Sequence, residues 1–194
     1  MSPITHLLAS WLIAAHVAKE QRDVRLITLA GVLPDLDGLG VVADIVNSWR
    51  GHDTLYYAQY HHLLLHGLFG AVLLTGILSA FARQRWRTLG ASLLVVHLHL
   101  VCDFVGARGP TPADIWPIHY LGPFSQQPMW SWSGQWRLDG WTNRLITVGL
   151  FLPALWIPVR LGHSVVGVFN RRADAAVVAV LRKWHGQLRL FERP

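Results

Sequence analysis

The stretch Leu29–Gly40, LAGVLPDLDGLG, places Asp35 and Asp37 inside a run otherwise as apolar as a membrane span, and no Lys or Arg occurs between Arg25 and Arg50. On a regular helix these two carboxylates lie about 200° apart and cannot both face one ion. Pro34 changes that geometry, because it pushes Leu33 out of the α region while Gly31 and Gly38 relax the chain on either side. A broken or freshly started helix then brings both carboxylates to one cavity, or makes one a ligand while the other orients a histidine or takes a proton. The plainer reading is that one of them caps a helix N-terminus after Pro34.

Composition sets the surroundings of this stretch. Of 194 residues 52% are hydrophobic and only 14% charged, and the mean hydropathy is +0.32. Length suggests one domain and apolarity points to lipid. Eleven histidines, as many as all Asp and Glu together, invite a metal hypothesis. The single cysteine, Cys102, excludes an intrachain disulfide.

A helical span needs about 20 mostly apolar residues. Leu63–Ala82 carries no formal charge and Thr88–Ala107 carries only Asp103, so these are the two strongest candidates. Leu26–Val46 is long enough but holds Asp35 and Asp37, while Pro3–Ala18 and Leu145–Val159 are short and need tilt or local thinning. The N-terminus lacks a basic region and its apolar stretch is interrupted by His6 and His16, so it does not read as a cleaved signal peptide. The expected fold is all-α, a polytopic bundle of about five membrane-embedded helices over residues 1–170, with a Trp-rich loop at 107–144 and a basic amphipathic cytoplasmic tail at 171–194.

Loop charges provide an independent test. With five alternating segments and the N-terminus outside, Lys19, Arg22, Arg25, Arg83, Arg85, Arg87 and the basic residues after Asn170 all fall on the cytoplasmic side. The high isoelectric point, near 10.2, then reports topology, and no nucleic-acid partner is expected. The same arrangement gathers His6, His61, His62, His66, His99 and Asp103 in one layer toward the extracytoplasmic face. Ionisable residues at such depth face a bundle interior, a cavity or one another, and a shared metal site accounts for all of them.

Helical spacing sorts the donors. His99 and Asp103 are four residues apart and share a face, where an imidazole and a carboxylate can grip one cation. His97 points away from them and reads as structural or as a group behind the ligands. His62 and His66 also share a face, and His61 joins His66 only if the helix begins after it. Cys102 reads as a buried, inert thiol rather than a soft ligand.

In order along the chain, PITH, GVLPDLDG, HHLLLH, HLVCD and TPADIWP resemble the motifs of the membrane-bound metal-dependent hydrolases, also described as LexA-binding, inner-membrane-associated hydrolases. The resemblance covers roughly residues 3–124 and implies a metal-site role for His6, Asp35, Asp37, His61, His66, His99 and Asp103. Two positions depart from that pattern. His62 stands where the family usually has an arginine, which means either a lost phosphate-binding cation or a gained ligand, and Gly67 replaces a common serine. A fainter likeness, to the zinc-dependent phospholipase C and S1/P1 nuclease group, suggests phosphoester hydrolysis by analogy.

The resulting expectation is a hydrolase acting on a phosphoester or lipid-like substrate through a divalent metal, with zinc first and manganese or iron as alternatives. Asp37 and Asp35 are the candidate bases. Trp116, Trp130, Trp132, Trp136 and Trp141 form an interfacial anchor or a rim guiding a lipid to the metal. Two rival classes use the same features differently. A transporter or proton relay needs the intramembrane His and Asp without hydrolysis, and a regulatory adaptor needs the basic tail.

Overall fold

Helix α1 (Pro3–Val17) starts where Ser2 accepts a hydrogen bond from the Thr5 amide and Pro3 occupies the first turn. In the computed structural model, which describes residues 1–191 with side chains as far as Gln187, α1 packs against α2 (Gln21–Ala30). Gly31 permits their close approach: a Cβ there would sit 1.8 Å from Ser10 Oγ. The chain then breaks as Pro34 dictates. A 3-10 turn, Leu33–Leu39, leads into α3 (Gly40–Trp49), bent 45° from α2.

A short α4 (Tyr56–Tyr60) follows, held by Asp44, whose carboxylate accepts from the Tyr56 and Tyr57 amides at 2.8 Å each. Next come α5 (Leu68–Ala80) and α6 (Arg85–Gly106). Buried Asp23 on α2 accepts the Arg83 and Gln84 amides and so anchors the entry to α6. The Trp-rich loop contains a small antiparallel pair, β1 (Ile118–His119) with β2 (Met129–Trp130), which a purely helical expectation does not include. Helix α7 (Trp141–Leu161) ends at Gly162, whose left-handed φ of 75° closes the last turn onto Pro158. A 3-10 turn, Val165–Val168, joins it to α8 (Arg171–Phe191), the expected tail helix. Residues 192–194 of that tail lie outside the described residues.

The bundle is apolar both inside, where Leu8, Trp11, Ile27, Val95 and Val96 form a buried cluster, and outside. Small hydroxyl residues are buried between helices: Ser10, Thr28, Thr75, Thr88 and Ser92 are all 2% exposed or less. Leu94, Val101, Leu145, Val148 and Leu152 face outward. Close packing through small residues with an apolar exterior is the pattern of helices in lipid. Two helices, α6 and α7, are long and apolar enough to cross a membrane, and the bent pair α2–α3 makes up to three. At 1.5 Å per residue α1 and α5 reach only about 20 Å, short of a hydrocarbon core of about 30 Å.

One expectation is corrected here. Leu63–Ala82 is not a continuous helix, because α5 begins only at Leu68 and residues 61–67 are irregular. His62 therefore does not share a helical face with His66. Tertiary contacts hold the segment open: the Leu65 amide donates to Asp37 and the Leu68 amide to the Tyr120 carbonyl.

Candidate metal centre

The break after α2 and the irregular segment 61–67 meet the last turns of α6 at one end of the bundle. His99 and Asp103, one turn apart on α6, are 1% and 3% exposed. His99 Nε2 lies 3.1 Å from Asp103 Oδ2. From α1, His6 stacks on His99 with ring centroids 3.7 Å apart and reaches Asp103 Oδ1 with Nε2 at 3.2 Å. The amino group of Met1 also meets Asp103 Oδ1.

Hydrogen bonds behind the rings decide which nitrogens face inward. His99 Nδ1 lies 2.8 Å from the Gly31 carbonyl, an acceptor only, so Nδ1 donates and a neutral ring keeps its lone pair on Nε2. His66 Nδ1 lies 2.9 Å from Asp37 Oδ2, with the same consequence. The two Nε2 atoms then confront each other at 3.1 Å. Two lone pairs at that distance repel unless a proton lies between them or a cation bound by both sits to one side.

Carboxylate oxygens complete the set. Asp103 Oδ2 is 3.4 Å from His66 Nε2, and Asp35 Oδ1 is 3.8 Å from His66 Nε2 and 3.6 Å from His99 Nε2. Donors bound tetrahedrally to zinc at 2.0–2.1 Å stand about 3.3 Å apart. His66, His99, Asp35 and Asp103 thus have the number and chemistry of a divalent-cation site, with each histidine nitrogen 3.1–3.8 Å from the other and from the two carboxylates. Asp35 Oδ2 is buried with no partner, as an oxygen kept for a cation or a substrate would be.

The remaining expected residues fall around this core. His6, Asp35, His99 and Asp103 form one group of convergent donors, and His61, His62 and His66 a second. Asp103 lies between them, with Oδ1 on His6 and Oδ2 on His66, His99 and, at 3.8 Å, His62. His62 is 5% exposed and takes a left-handed φ of 68°, rare for a residue with a Cβ. Asp37 sits behind the histidines: Oδ1 accepts from His61 Nδ1 at 3.0 Å and Oδ2 from the Leu65 amide and His66. His97 points away, toward the Leu93 carbonyl and the Tyr120 hydroxyl. His119 bonds the Gln126 carbonyl, and Cys102 is half-buried and unpaired.

Tyr57, Gln135 and Asn143 were not singled out from sequence. A cavity of about 200 Å³ reaches Asp35, Asp103, His61 and His62, walled by Tyr57 and Trp116. Burial first, then the carboxylates of Asp35, Asp103 and Asp37, push the Tyr57 phenol up to about 12, so it keeps its proton. A second cavity of about 270 Å³ lies beside it, with Trp116 set nearly perpendicular to His61 and His62. Gln135, 2% exposed, ties the Trp-rich loop over the site: its amide donates to the Asp103 carbonyl and accepts from the Trp116 amide. Asn143 joins the same loop to Gly106 at the end of α6. Of the five tryptophans in the loop, Trp116 alone lines these cavities.

No curated protein and no solved structure matches the chain. The family model described as YdjM inner membrane protein matches residues 1–181. Helices long and apolar enough to span a membrane and an apolar exterior agree with that description, and the chain belongs to the YdjM inner membrane protein family.

Proposed function

We propose that the protein is a multi-pass, metal-dependent membrane hydrolase acting on a phosphoester or lipid-like substrate from a site on the extracytoplasmic side. The observation that carries this reading is the confrontation of His66 Nε2 and His99 Nε2 at 3.1 Å, each with its other nitrogen committed to an acceptor. In this reading α1, α2–α3, α5, α6 and α7 are the five embedded helices, the short ones sheltered by their neighbours.

His66, His99, Asp35 and Asp103 would hold the first ion, with His6, His61 and His62 available to a second across Asp103. A bound divalent cation of the zinc type lowers the pKa of its water toward 7 and polarises a phosphoryl or acyl oxygen. The chain does the rest. Asp35, with one oxygen free of protein partners, takes the proton from the attacking water. Asp37 fixes the tautomers of His61 and His66, so in this reading it supports ligands rather than acting as the base. The Tyr57 hydroxyl and the Trp116 ring orient the substrate in the two cavities.

No Lys or Arg lines either cavity. Substrate charge is then met by the cation rather than by an arginine, and His62 counts as a gained ligand. Leu39, 57% exposed on the rim, makes the entrance apolar, as a substrate arriving from the bilayer requires.

Elemental analysis of detergent-purified protein, grown with supplied metal and kept from chelators, tests the reading beside His99→Ala and Asp103→Ala. Stoichiometric zinc, manganese or iron in the wild type and its loss in both variants is expected. Wild type without metal would leave a proton as the bridging cation and return the site to a proton-relay role. With metal present, release of phosphate or head group in a screen of phosphodiesters and phospholipids, lost in Asp35→Asn, is the expected activity.

A further inference from the structure

A second constellation lies at the opposite end of the bundle. The caps from Asp23 to Arg83 and Gln84 place the start of α2 beside the start of α6, about 21 Å along the α6 axis from His99. There a cleft of about 390 Å³ opens between the first turns of α2 and α8 and the link after α7, lined by Gln21, Arg25, Gly162, His163, Arg171 and Asp174.

Its basic groups are held but not neutralised. Arg25 Nε donates to the Gly167 carbonyl at 2.8 Å, and Arg182 Nε to the Val159 carbonyl at 3.1 Å. Each contact fixes a guanidinium by its inner nitrogen and leaves both terminal nitrogens without a protein acceptor among the described residues. A terminal nitrogen of Arg182 lies 3.2 Å from where a Cβ on Gly162 would be, at the cleft wall. Arg171 is exposed, and His163 Nδ1 is buried with no partner.

Acids are fewer than bases. Asp174, the one carboxylate lining the cleft among the described residues, accepts with Oδ1 from both the amide and the hydroxyl of Ser164, and Asp23 caps the entry to α6. Two arginines, Arg25 and Arg171, therefore line a space with one lining acid, and Arg182 reaches its wall at Gly162. Paired guanidinium edges match the geometry of phosphate oxygens.

The rim says where the phosphate comes from. Leu161 at the end of α7, Phe169 in the link, and Val180 and Trp184 farther along α8 are 43%, 68%, 45% and 59% exposed. Basic pockets at the membrane surface bordered by apolar residues take lipid head groups. We propose that this cleft binds the phosphate of an anionic phospholipid, with Arg25, Arg171 and Arg182 as its contacts and the acyl chains against the exposed residues of α7 and α8. It is a site separate from the His/Asp centre and independent of any hydrolytic reading.

Native mass spectrometry of the full chain in detergent tests this, titrated with dioleoyl-phosphatidylglycerol, dioleoyl-phosphatidylcholine or inorganic phosphate. One phosphatidylglycerol is expected to remain bound at concentrations where phosphatidylcholine does not, with a matching rise in Tm. Each lost cation near a lipid surface weakens binding about fivefold, so Arg171→Gln with Arg182→Gln should weaken it about 25-fold. Arg25→Lys, which keeps the charge, should retain the lipid, and Arg85→Gln with Arg87→Gln, basic residues outside the cleft, should bind as wild type. Equal retention of both lipids, undiminished phosphatidylglycerol binding in the Arg171/Arg182 variant, or stabilisation by inorganic phosphate alone would overturn the proposal.

Discussion

Replacing Asp37 by asparagine separates a ligand from a residue that holds ligands. The carboxylate accepts three hydrogen bonds, from His61 Nδ1 at 3.0 Å, the Leu65 amide at 3.1 Å and His66 Nδ1 at 2.9 Å. An asparagine of the same shape offers one acceptor oxygen and one amino group. Its cheapest orientation keeps the oxygen on Leu65 and His66 and turns the amino group toward His61, so one bond is lost and two become neutral. Bonds to a charged acceptor contribute about 1.5–3 kcal/mol and neutral ones about 1 kcal/mol. The histidines then lose the charge that favours their inward lone pairs.

Partners behind metal-binding histidines typically control affinity by about 10–100-fold. Asp37→Asn should therefore weaken zinc binding by that factor without abolishing it, whereas Asp103→Asn, at the centre of both donor groups, should remove it. The assay is competition against a fluorescent chelator in detergent, with monodispersity and tryptophan fluorescence confirming that each variant is folded. Affinity within twofold of wild type, or a loss as complete as that of Asp103→Asn, would refute the assignment of Asp37 to a position behind the ligands.

Other outcomes follow from the same geometry. His62→Ala, which keeps the strain at φ 68° and loses the buried ring, should lower Tm. His62→Gly loses the same ring but escapes a strain of about 1–2 kcal/mol, so its Tm should lie about 2–8 °C above that of His62→Ala. Gly31→Ala should lose about 1–3 kcal/mol, since its methyl would meet Ser10 Oγ, and because the Gly31 carbonyl holds His99, metal content should fall along with the denaturation midpoint. Gln135→Ala leaves the Trp116 amide and the Asp103 carbonyl without their partner at a cost of about 1–3 kcal/mol. Faster proteolytic cleavage within 107–140, while α6 stays intact, is the measurable sign.

What could be read from the sequence divides along the range of the forces involved. Helix α6 was expected over Thr88–Ala107 and runs Arg85–Gly106, because an uncharged run of that length has few alternatives in lipid. The break in LAGVLPDLDGLG was legible because Pro34 acts on its own neighbours, and the pairing of His99 with Asp103 because one helical turn sets it. His62 and His66 were misplaced on a helix for the opposite reason. The run LLLHGLFG looks helical by itself, and what opens it is Asp37, 28 residues earlier, and Tyr120, more than 50 later. Gln135 and Asn143 were invisible in the same way, since a neutral amide in a loop carries no periodicity and matters only through the carbonyls it meets.

The same division explains how the acids are used. Asp23, Asp44 and Asp174 each turn their carboxylates to backbone amides at the start of another segment. In an apolar chain with few polar groups, a buried carboxylate is a means of ending one helix and beginning the next. Asp37 does this too, through the Leu65 amide, and its remaining bonds go to histidines. Asp35 and Asp103 differ: one has an oxygen with no partner, and the other is surrounded by imidazoles and the Met1 amino group. Position in an apolar run marks an aspartate as unusual, but the partners its oxygens meet, amides or imidazoles, distinguish one that builds the fold from one placed to hold a cation in the proposed site.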